Sequence, residues 1–254
     1  MSYAEILPEI RRLAEAAGRE TLRIYEGEAD VTLKQDGSPV TAADAAAEAV
    51  ILPALRALTP DIPVVSEEEA AAGLAPDSVG HRFWLVDPLD GTKEFIKRNG
   101  EFTVNIALIE DGVPVLGVVH VPVTGETYAA AGPGSATLSV AGAEPQPIAI
   151  RQRPAAGATI VASRSHGDDA ALEAFLGDTI VAERRPAGSS VKFCLVARGD
   201  ADLYPRLGPT MEWDTAAGHA VLLGAGGTVS TLDGAPLRYG KPQYRNPHFV
   251  AKGV

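Results

Sequence analysis

The sequence predicts a mixed α and β protein with two unlike halves. Its first half combines N-terminal helices with an antiparallel sheet (α+β), and its second half alternates strands and helices as an α/β unit with a mixed sheet. Three successive patterns support this: apolar residues at helical spacing, then short apolar runs, then strands alternating with helices. With 254 residues, 46% of them hydrophobic, the chain can bury the core of one large domain or two compact lobes.

The first two predicted elements are amphipathic helices. The first ends before Gly27 and carries apolar residues at helical spacing, namely Ile6, Ile10, Leu13 and Ala17. The second begins near Thr41, ends before Thr59-Pro60, and has a buried side formed by Ala47, Val50, Ile51 and Leu55. One side of each helix is therefore expected to face the core.

Short apolar runs predict strands at Ile62 to Val65, Phe83 to Val86, Val104 to Ile109 and Val115 to Val121. Asp111-Gly112 separates the last two runs and predicts a tight hairpin turn. A segment rich in Gly, Ala, Ser and Pro, from Ala131 to Pro147, is the predicted boundary between lobes at residues 1–145 and 146–254. Beyond it we predict a strand at Ile160 to Ala162 and helices at Asp168 to Phe175 and from Ser190 to Val196.

The charge balance argues against one class of partner. Basic residues number 22 and acidic residues 33, a net charge of -11, so a nucleic-acid polymer is not expected to bind. A small phosphorylated ligand remains compatible, because metal ions held by carboxylates reverse the local potential.

The cellular setting is predicted from the single cysteine and from the apolar segments. Cys194 cannot form an internal disulfide and is expected in the core, which favours a reducing cytoplasm. The start of the chain lacks the basic and apolar regions of a signal peptide, and no apolar stretch is long enough to cross a bilayer. We therefore expect a soluble cytoplasmic protein, with peripheral attachment to the cytoplasmic side of the inner membrane left open.

Two aspartates follow the apolar strand that ends at Val86. Asp87 and Asp90 are separated by Pro88 and Leu89, and Pro88 is expected to end the strand and expose both carboxylates. Gly91-Thr92 then opens a predicted helix, whose free backbone amides and positive dipole end favour a phosphate beside a cation. The alternative is an ordinary turn, since Asp and Pro are common turn formers.

Two further acidic segments complete this pattern. Glu67, Glu68 and Glu69 follow the strand that ends at Val65, and Asp214 begins a helix of small residues. Mg²⁺ prefers oxygen ligands, and carboxylates from three separate segments are what a two-ion or three-ion phosphatase site requires. The alternatives are a solvated acidic run at Glu67 to Glu69 and an ordinary helix N-cap at Asp214.

These segments resemble a known family. Asp87-Pro88-Leu89-Asp90-Gly91-Thr92, Ser66-Glu67-Glu68 and Trp213-Asp214-Thr215-Ala216-Ala217-Gly218 are similar to the three motifs of the inositol monophosphatase superfamily, in the family's order. The resemblance implies its layered αβαβα sugar-phosphatase fold. Four other segments are similar to the CysQ-type 3'(2'),5'-bisphosphate nucleotidases of that superfamily: Leu85 to Thr103, Ser163 to His166, Gly188 to Cys194 and Leu203 to Arg206.

The resemblance implies a metal site, carried mostly by the N-terminal lobe. Its ligands for two or three Mg²⁺ ions would be Glu67, Glu68, Asp87, Asp90, Asp214 and the backbone carbonyl of Leu89. Thr92 and Asp44 would orient the attacking water, so that Glu67, Thr92 and Asp44 form the implied catalytic set. Asp44 also lies three residues after Thr41, which leaves open a local role in a variant capping box.

The resemblance also implies substrate contacts, mostly in the C-terminal lobe. They are Gly91, Thr92, His166, Ser189, Lys192, Arg206 and Asp214. A bisphosphate needs cationic contacts away from the metals, for which Lys192 and Arg206 are the candidates. Alternatives remain for Lys192 as a surface charge and for His166 as a helix-cap residue. Gly188-Ser189-Ser190 has the composition of an anion-binding nest or a helix start.

The activity implied by the resemblance is hydrolysis of the 3'-phosphate of adenosine 3',5'-bisphosphate to AMP and phosphate. Metal-activated water would attack the phosphorus in-line, and the activity would be lithium-sensitive. A second implied substrate is 3'-phosphoadenylyl sulfate, which feeds sulfate assimilation. Two alternatives are an inositol or sugar monophosphatase with the same metal core and a non-catalytic metal or nucleotide sensor. A monomer and a homodimer are both compatible with the sequence.

Overall fold

A computed structural model of the protein describes residues 2–27, 31–33, 39–76, 79–163 and 169–253, and describes only the backbone of 31–33, 39–41 and 169. The α-helices in these ranges are α1 (Tyr3–Tyr25), α2 (Ala42–Leu58), α3 (Glu67–Ala71), α4 (Thr92–Ile96), α5 (Asp169–Leu176), α6 (Val191–Ala197) and α7 (Ala216–Gly224), with a 3-10 helix at Pro242–Tyr244. The strands are β1 (Val31–Leu33), β2 (Pro39–Thr41), β3 (Val64–Ser66), β4 (Arg82–Asp90), β5 (Thr103–Glu110), β6 (Val113–Val121), β7 (Glu126–Ala130), β8 (Thr137–Val140), β9 (Gln146–Pro147), β10 (Ala158–Ser163), β11 (Val181–Ala187), β12 (Leu203–Arg206), β13 (Thr228–Thr231) and β14 (Phe249–Lys252).

Two large sheets organise the fold. The first has seven strands in the order β3-β4-β5-β6-β7-β8-β9, antiparallel throughout except for the parallel pair β3 and β4. The second has five strands in the order β11-β10-β12-β14-β13 and mixes parallel with antiparallel pairs. The predicted antiparallel first half and mixed second sheet are confirmed, with β3 as a parallel edge.

Helices cover both sheets in five layers. Helices α1 and α2 pack on one face of the first sheet, and α6 and α7 fill the space between the two sheets. Helix α5 covers the outer face of the second sheet through Leu172, Phe175 and Leu176. The order helices, sheet, helices, sheet, helix confirms the expected αβαβα arrangement.

Local sequence signals explain where the first helices begin and end. Ser2 caps α1 and forms a capping box with Glu5, because each side chain meets a backbone N–H of the other. The predicted apolar stripes are buried, with Ile10 and Ala17 fully enclosed in α1 and Ile51 in α2, except that Val50 is only partly buried. The two predicted helices are thus confirmed, as is the Asp111-Gly112 turn between β5 and β6, where both residues have positive φ angles.

Pro88 does not end its strand and Asp87 is buried, which corrects the prediction that the strand stops at Pro88 and exposes both carboxylates. Strand β4 continues to Asp90, and its pairing with β5 shifts between Asp87, opposite Asn105, and Asp90, opposite Thr103. This bulge places the proline where no ladder hydrogen bond is needed. The Asp87 side chain accepts a hydrogen bond from Leu89 N at 3.0 Å, which holds the bulge closed.

The segment from Ala131 to Pro147 contains β8 and β9 of the first sheet, and the second sheet begins at Ala158. We keep the division at residues 145 and 146 as a proposal. Within the described ranges, no helix has both the length and the apolar character that crossing a bilayer would require.

Candidate active site

Three chain segments bring acidic residues to one place. Glu67 begins α3 directly after β3, where Ser66 caps the helix by accepting a hydrogen bond from Glu69 N. Asp87 and Asp90 lie on the bulged end of β4, and Asp214 lies just before α7. Carboxylate oxygens of Glu67, Asp87 and Asp214 come within 4.8 Å of one another. The predicted convergence of three segments is therefore present in the fold.

Burial and mutual repulsion act on these carboxylates. Burial first, and then the charges of Glu67, Asp90, Asp214 and Asp44, raise the pKa of Asp87 well above its usual value. Burial, followed by the charges of Asp90 and Glu67, likewise raises the pKa of Asp214. Divalent cations would relieve this repulsion, and the donors are the hard oxygen ligands that Mg²⁺ prefers. The residues present therefore fit a divalent metal site.

The structure excludes the local alternatives for two of these residues. Thr215, not Asp214, is the N-cap of α7, and Asp214 instead accepts a hydrogen bond from Met211 N at 2.9 Å. Asp87 is 1% exposed and lies within the paired strand, so it is not part of an ordinary surface turn.

A cavity of about 300 Å³ opens over this cluster. Its walls include most of the predicted site residues, namely Glu67, Asp87, Leu89, Asp90, Gly91, Thr92, Ser189, Lys192, Arg206 and Asp214. One wall is acidic and comes mainly from β4, whereas a second wall comes from the turn before α6 and from β12. Residues of both large sheets therefore line the same cavity.

The second wall carries cationic groups. Lys192 is 3% exposed and Arg206 is 8% exposed, so the alternative of Lys192 as a surface charge is wrong. Burial lowers the pKa of the Lys192 amine to about 8, although the nearby Asp90 opposes that change. Within the described part of the chain, Ser189 Oγ and Arg206 Nε are buried without a hydrogen-bond partner. Both residues line the cavity, and unpartnered buried donors are unusual in the absence of a ligand.

The turn before α6 packs against α4 and the loop that follows it. Ser190 is the N-cap position of α6, which confirms the predicted helix start, and Ser189 adopts a positive φ of 42°. Glu101 accepts a hydrogen bond from Gly188 N at 2.8 Å. A Cβ at Gly188 would lie 2.7 Å from Glu94 Cγ, so only glycine fits this approach.

Three predicted residues, Asp44, Glu68 and His166, are not among the described residues that line the cavity. Asp44 is 1% exposed and lies close enough to Asp87 to raise its pKa. Glu68 is half-buried on α3 and is not among the cavity-lining residues; its charge acts on Glu48. His166 lies outside the described residues, as does the side chain of Thr41, so the capping alternative for Asp44 stays open.

Several cavity residues were not among the predicted site residues. They are Lys93, Glu94, Ser163, Gly188, Tyr204, Pro209, Thr210 and Thr215. Tyr204 shares a strand with Arg206, and Thr210 and Thr215 flank Asp214 in sequence. Most of these residues lie in segments that resemble the family, which is a signal that could have indicated them. Pro209 and Thr210 lie outside those segments.

The family model of the inositol monophosphatase family matches residues 3–252. The chain belongs to the inositol monophosphatase family. The Escherichia coli K12 protein named 3'(2'),5'-bisphosphate nucleotidase CysQ is 51% identical over 247 residues, covering 96% of this chain and 98% of that protein. The Haemophilus influenzae protein of the same name is 34% identical over 256 residues, covering 98% of this chain and 93% of its own length.

Solved structures of family members share the fold. CysQ from Bacteroides thetaiotaomicron, described as a bacterial member of the inositol monophosphatase family, has a TM-score of 0.79 at 39% identity and covers 95% of this chain and 94% of its own. The Thermotoga maritima IMPase has a TM-score of 0.77 at 24% identity, over 96% of this chain and 91% of its own. The second likeness concerns the fold alone.

Proposed function

We propose that this protein is a Mg²⁺-dependent phosphatase that hydrolyses the 3'-phosphate of adenosine 3',5'-bisphosphate to AMP and phosphate. The observation that carries the proposal is one cavity with an acidic wall at Asp87 and Asp90 and a buried cationic wall at Lys192 and Arg206. Relatives named 3'(2'),5'-bisphosphate nucleotidase, 51% identical over nearly the full chain, support the same substrate class.

The acidic wall would hold the metal. Glu67, Asp87, Asp90, Asp214 and the carbonyl of Leu89 are the proposed ligands, with Glu68 in an outer position. When bound, Mg²⁺ neutralises charge on phosphate oxygens and makes water more acidic. We propose two or three ions, which agrees with a cluster of several carboxylates from separate segments.

The chain's own groups would orient the reactants. Gly91 and Thr92 lie at the start of α4, where backbone N–H groups have no acceptor within the helix and can donate to the phosphate. Since α4 has only five residues, these local donors matter more than a helix dipole. Thr92 lines the cavity and Asp44 acts on Asp87, which supports their proposed role in orienting the attacking water.

The cationic wall would recognise the second phosphate and the nucleoside. Arg206 Nη2 donates to Pro209 O at 2.8 Å, which fixes the guanidinium, and within the described part of the chain Nε is buried without a partner. Ser189 Oγ offers a second donor, and Lys192 contributes charge. His166 is a further proposed contact. This wall favours the bisphosphate over the alternative of an inositol or sugar monophosphate.

Substrate pairs test this assignment. Arg206→Ala and Lys192→Ala should each raise KM for adenosine 3',5'-bisphosphate by about 10- to 100-fold, the effect of losing a hydrogen bond to a charged group. KM for adenosine 3'-monophosphate, which lacks the second phosphate, should change much less. Arg153→Ala, which removes an exposed arginine outside the cavity lining, is the charge control. Equal effects on both substrates would reject the bisphosphate assignment.

A further inference from the structure

Strand β5 breaks its own apolar pattern at one end. Its side chains alternate between two faces, and Ala107 and Ile109 pack in the core between the sheets. On that same face the preceding positions are Thr103 and Asn105, which are polar and only 0% and 1% exposed. Buried polar groups are costly unless every one is satisfied, so polar residues in this position point to a specific role.

The two polar residues meet Ser190, the N-cap residue of α6. Ser190 Oγ donates to Asn105 Oδ1 at 2.7 Å and lies 2.9 Å from Thr103 Oγ1. A serine hydroxyl has one proton, and this one is given to Asn105, so the hydroxyl of Thr103 donates to Ser190. The direction of both bonds is therefore fixed.

The same chain of hydrogen bonds continues to Asp90. Asn105 Nδ2 faces Asp90 Oδ2 at 3.5 Å, and the carboxylate can only accept, so the amide nitrogen must point towards it. Ser190 also reaches Asp90 directly through its backbone N–H. Ser190 thus interacts with Asp90 directly through its backbone N–H and indirectly through the side chain of Asn105.

From this geometry we propose that Asn105 and Ser190 are positioning residues that orient the Asp90 carboxylate for a divalent cation. The inference rests on the proposed metal site and extends it to residues that touch neither metal nor substrate. The network crosses from the first sheet to the turn that carries Ser189. Metal affinity is thereby linked to the placement of the cationic wall.

Metal binding without nucleotide is the direct test. Full-length protein stripped with EDTA is titrated with Mg²⁺, and the midpoint is read from the rise in melting temperature and from calorimetry. Asn105→Leu, similar in size but without hydrogen-bonding groups, should raise the midpoint about five- to tenfold. Ser190→Ala, which keeps the backbone N–H to Asp90, should raise it about threefold.

Thr103→Val is the matched control. It removes only the outer donor and leaves the bonds from Ser190 through Asn105 to Asp90 intact, so the Mg²⁺ midpoint should stay at the wild-type value. Far-UV circular dichroism in EDTA establishes that each variant is folded. If Asn105→Leu does not fold, Ser190→Ala decides the matter.

The possible failures are distinguishable. A wild-type protein whose melting temperature and heat of titration do not respond to Mg²⁺ would overturn the metal site and this inference together. A wild-type response with unchanged midpoints in both Asn105→Leu and Ser190→Ala would overturn the positioning role alone. Equal weakening by Thr103→Val and Ser190→Ala would also overturn it, because the loss would then be general to this part of the core.

Discussion

Asp90 illustrates how single residues create this site. Burial, together with the charges of Glu67 and Glu94, raises its pKa to about 6, while Lys192 and the N–H of Ser190 act in the opposite direction. In the folded protein this carboxylate is therefore costly to ionise without a cation. A carboxylate that is costly to ionise at the bulged end of β4 fits the proposed role of Asp90 as a metal ligand.

Asp90→Asn should abolish turnover without unfolding the protein. We expect kcat/KM to fall by at least about a thousandfold, because a ligand charge is lost where the phosphate oxygens develop charge. The metal-free melting temperature should be equal to or above that of the wild type, since a repelled carboxylate is removed. The stabilisation by Mg²⁺ should be greatly weakened.

The matched control for Asp90→Asn is Asp61→Asn, at an exposed position between α2 and β3. It should keep wild-type activity and Mg²⁺ response. An Asp90→Asn protein with near-normal turnover would contradict the proposed ligand set.

His219 predicts a specific loss of stability in acid. It is 3% exposed, its Nδ1 lies 3.0 Å from Tyr239 Oη, and burial lowers its pKa to about 3. Below about pH 6.5 this histidine binds a proton in the unfolded state but stays neutral in the folded state. The free energy of unfolding therefore falls as pH falls towards 3. At pH 5 this amounts to about 2 kcal/mol.

His219→Asn should therefore lose less stability than the wild type between pH 7 and pH 5, by about 2 kcal/mol in urea unfolding. His248→Asn, at an exposed ring, should follow the wild type. Parallel pH profiles for the wild type and His219→Asn would show that this histidine is not held neutral by the fold.

At the scale of elements, close contact between β6 and α7 positions Asp214. A Cβ at Gly117 would lie 2.6 Å from Ala217 O and 2.6 Å from Ala220 Cβ, so the strand and the helix approach as closely as backbones allow. Helix α7 follows directly after Asp214 and Thr215. A shift of this helix would therefore move a proposed metal ligand.

Gly117→Ala should destabilise the protein by about 1–3 kcal/mol, the usual cost of overpacking a core, and should lower kcat/KM as well. Urea unfolding with a phosphate-release assay measures both. Gly27→Ala is the control, because its Cβ would meet atoms at an ordinary 3.6 Å or more. Equal stability of the two variants would contradict the proposed close packing.

The elements also show how far the sequence could be interpreted. Apolar periodicity correctly predicts α1, α2 and the long strands, since burial of their side chains governs both pattern and structure. Pro88 misled the prediction because a bulge, set by the pairing of β4 with β5, accommodates it. A register shift depends on a partner strand that lies elsewhere in the sequence.

For the molecule as a whole, the five-layer arrangement brings together groups that sequence separates. The acidic segments were predictable because carboxylates recur after apolar strands and resemble family motifs. The hydrogen bonds from Thr103 through Ser190 and Asn105 were not, because they join residues more than 80 positions apart. Such contacts exist only once both sheets have packed against α6 and α7.

The net charge of the protein is opposite in sign to the charge needed to bind a phosphorylated substrate. A net charge of -11 repels a phosphorylated substrate from most of the surface. The cavity reverses this locally, through Lys192 and Arg206 and through the metal that the carboxylates are proposed to hold. Activity should therefore depend on Mg²⁺ for substrate binding as well as for the chemical step.

The central claim is tested most directly by phosphate release from two substrates, with and without Mg²⁺. We predict Mg²⁺-dependent release from adenosine 3',5'-bisphosphate, with kcat/KM at least about a hundredfold above that for inositol 1-phosphate, which cannot use the cationic wall. A kcat/KM for inositol 1-phosphate that equals or exceeds the bisphosphate value would contradict the substrate assignment. If neither substrate releases phosphate at saturating Mg²⁺, the assignment as a phosphatase is contradicted.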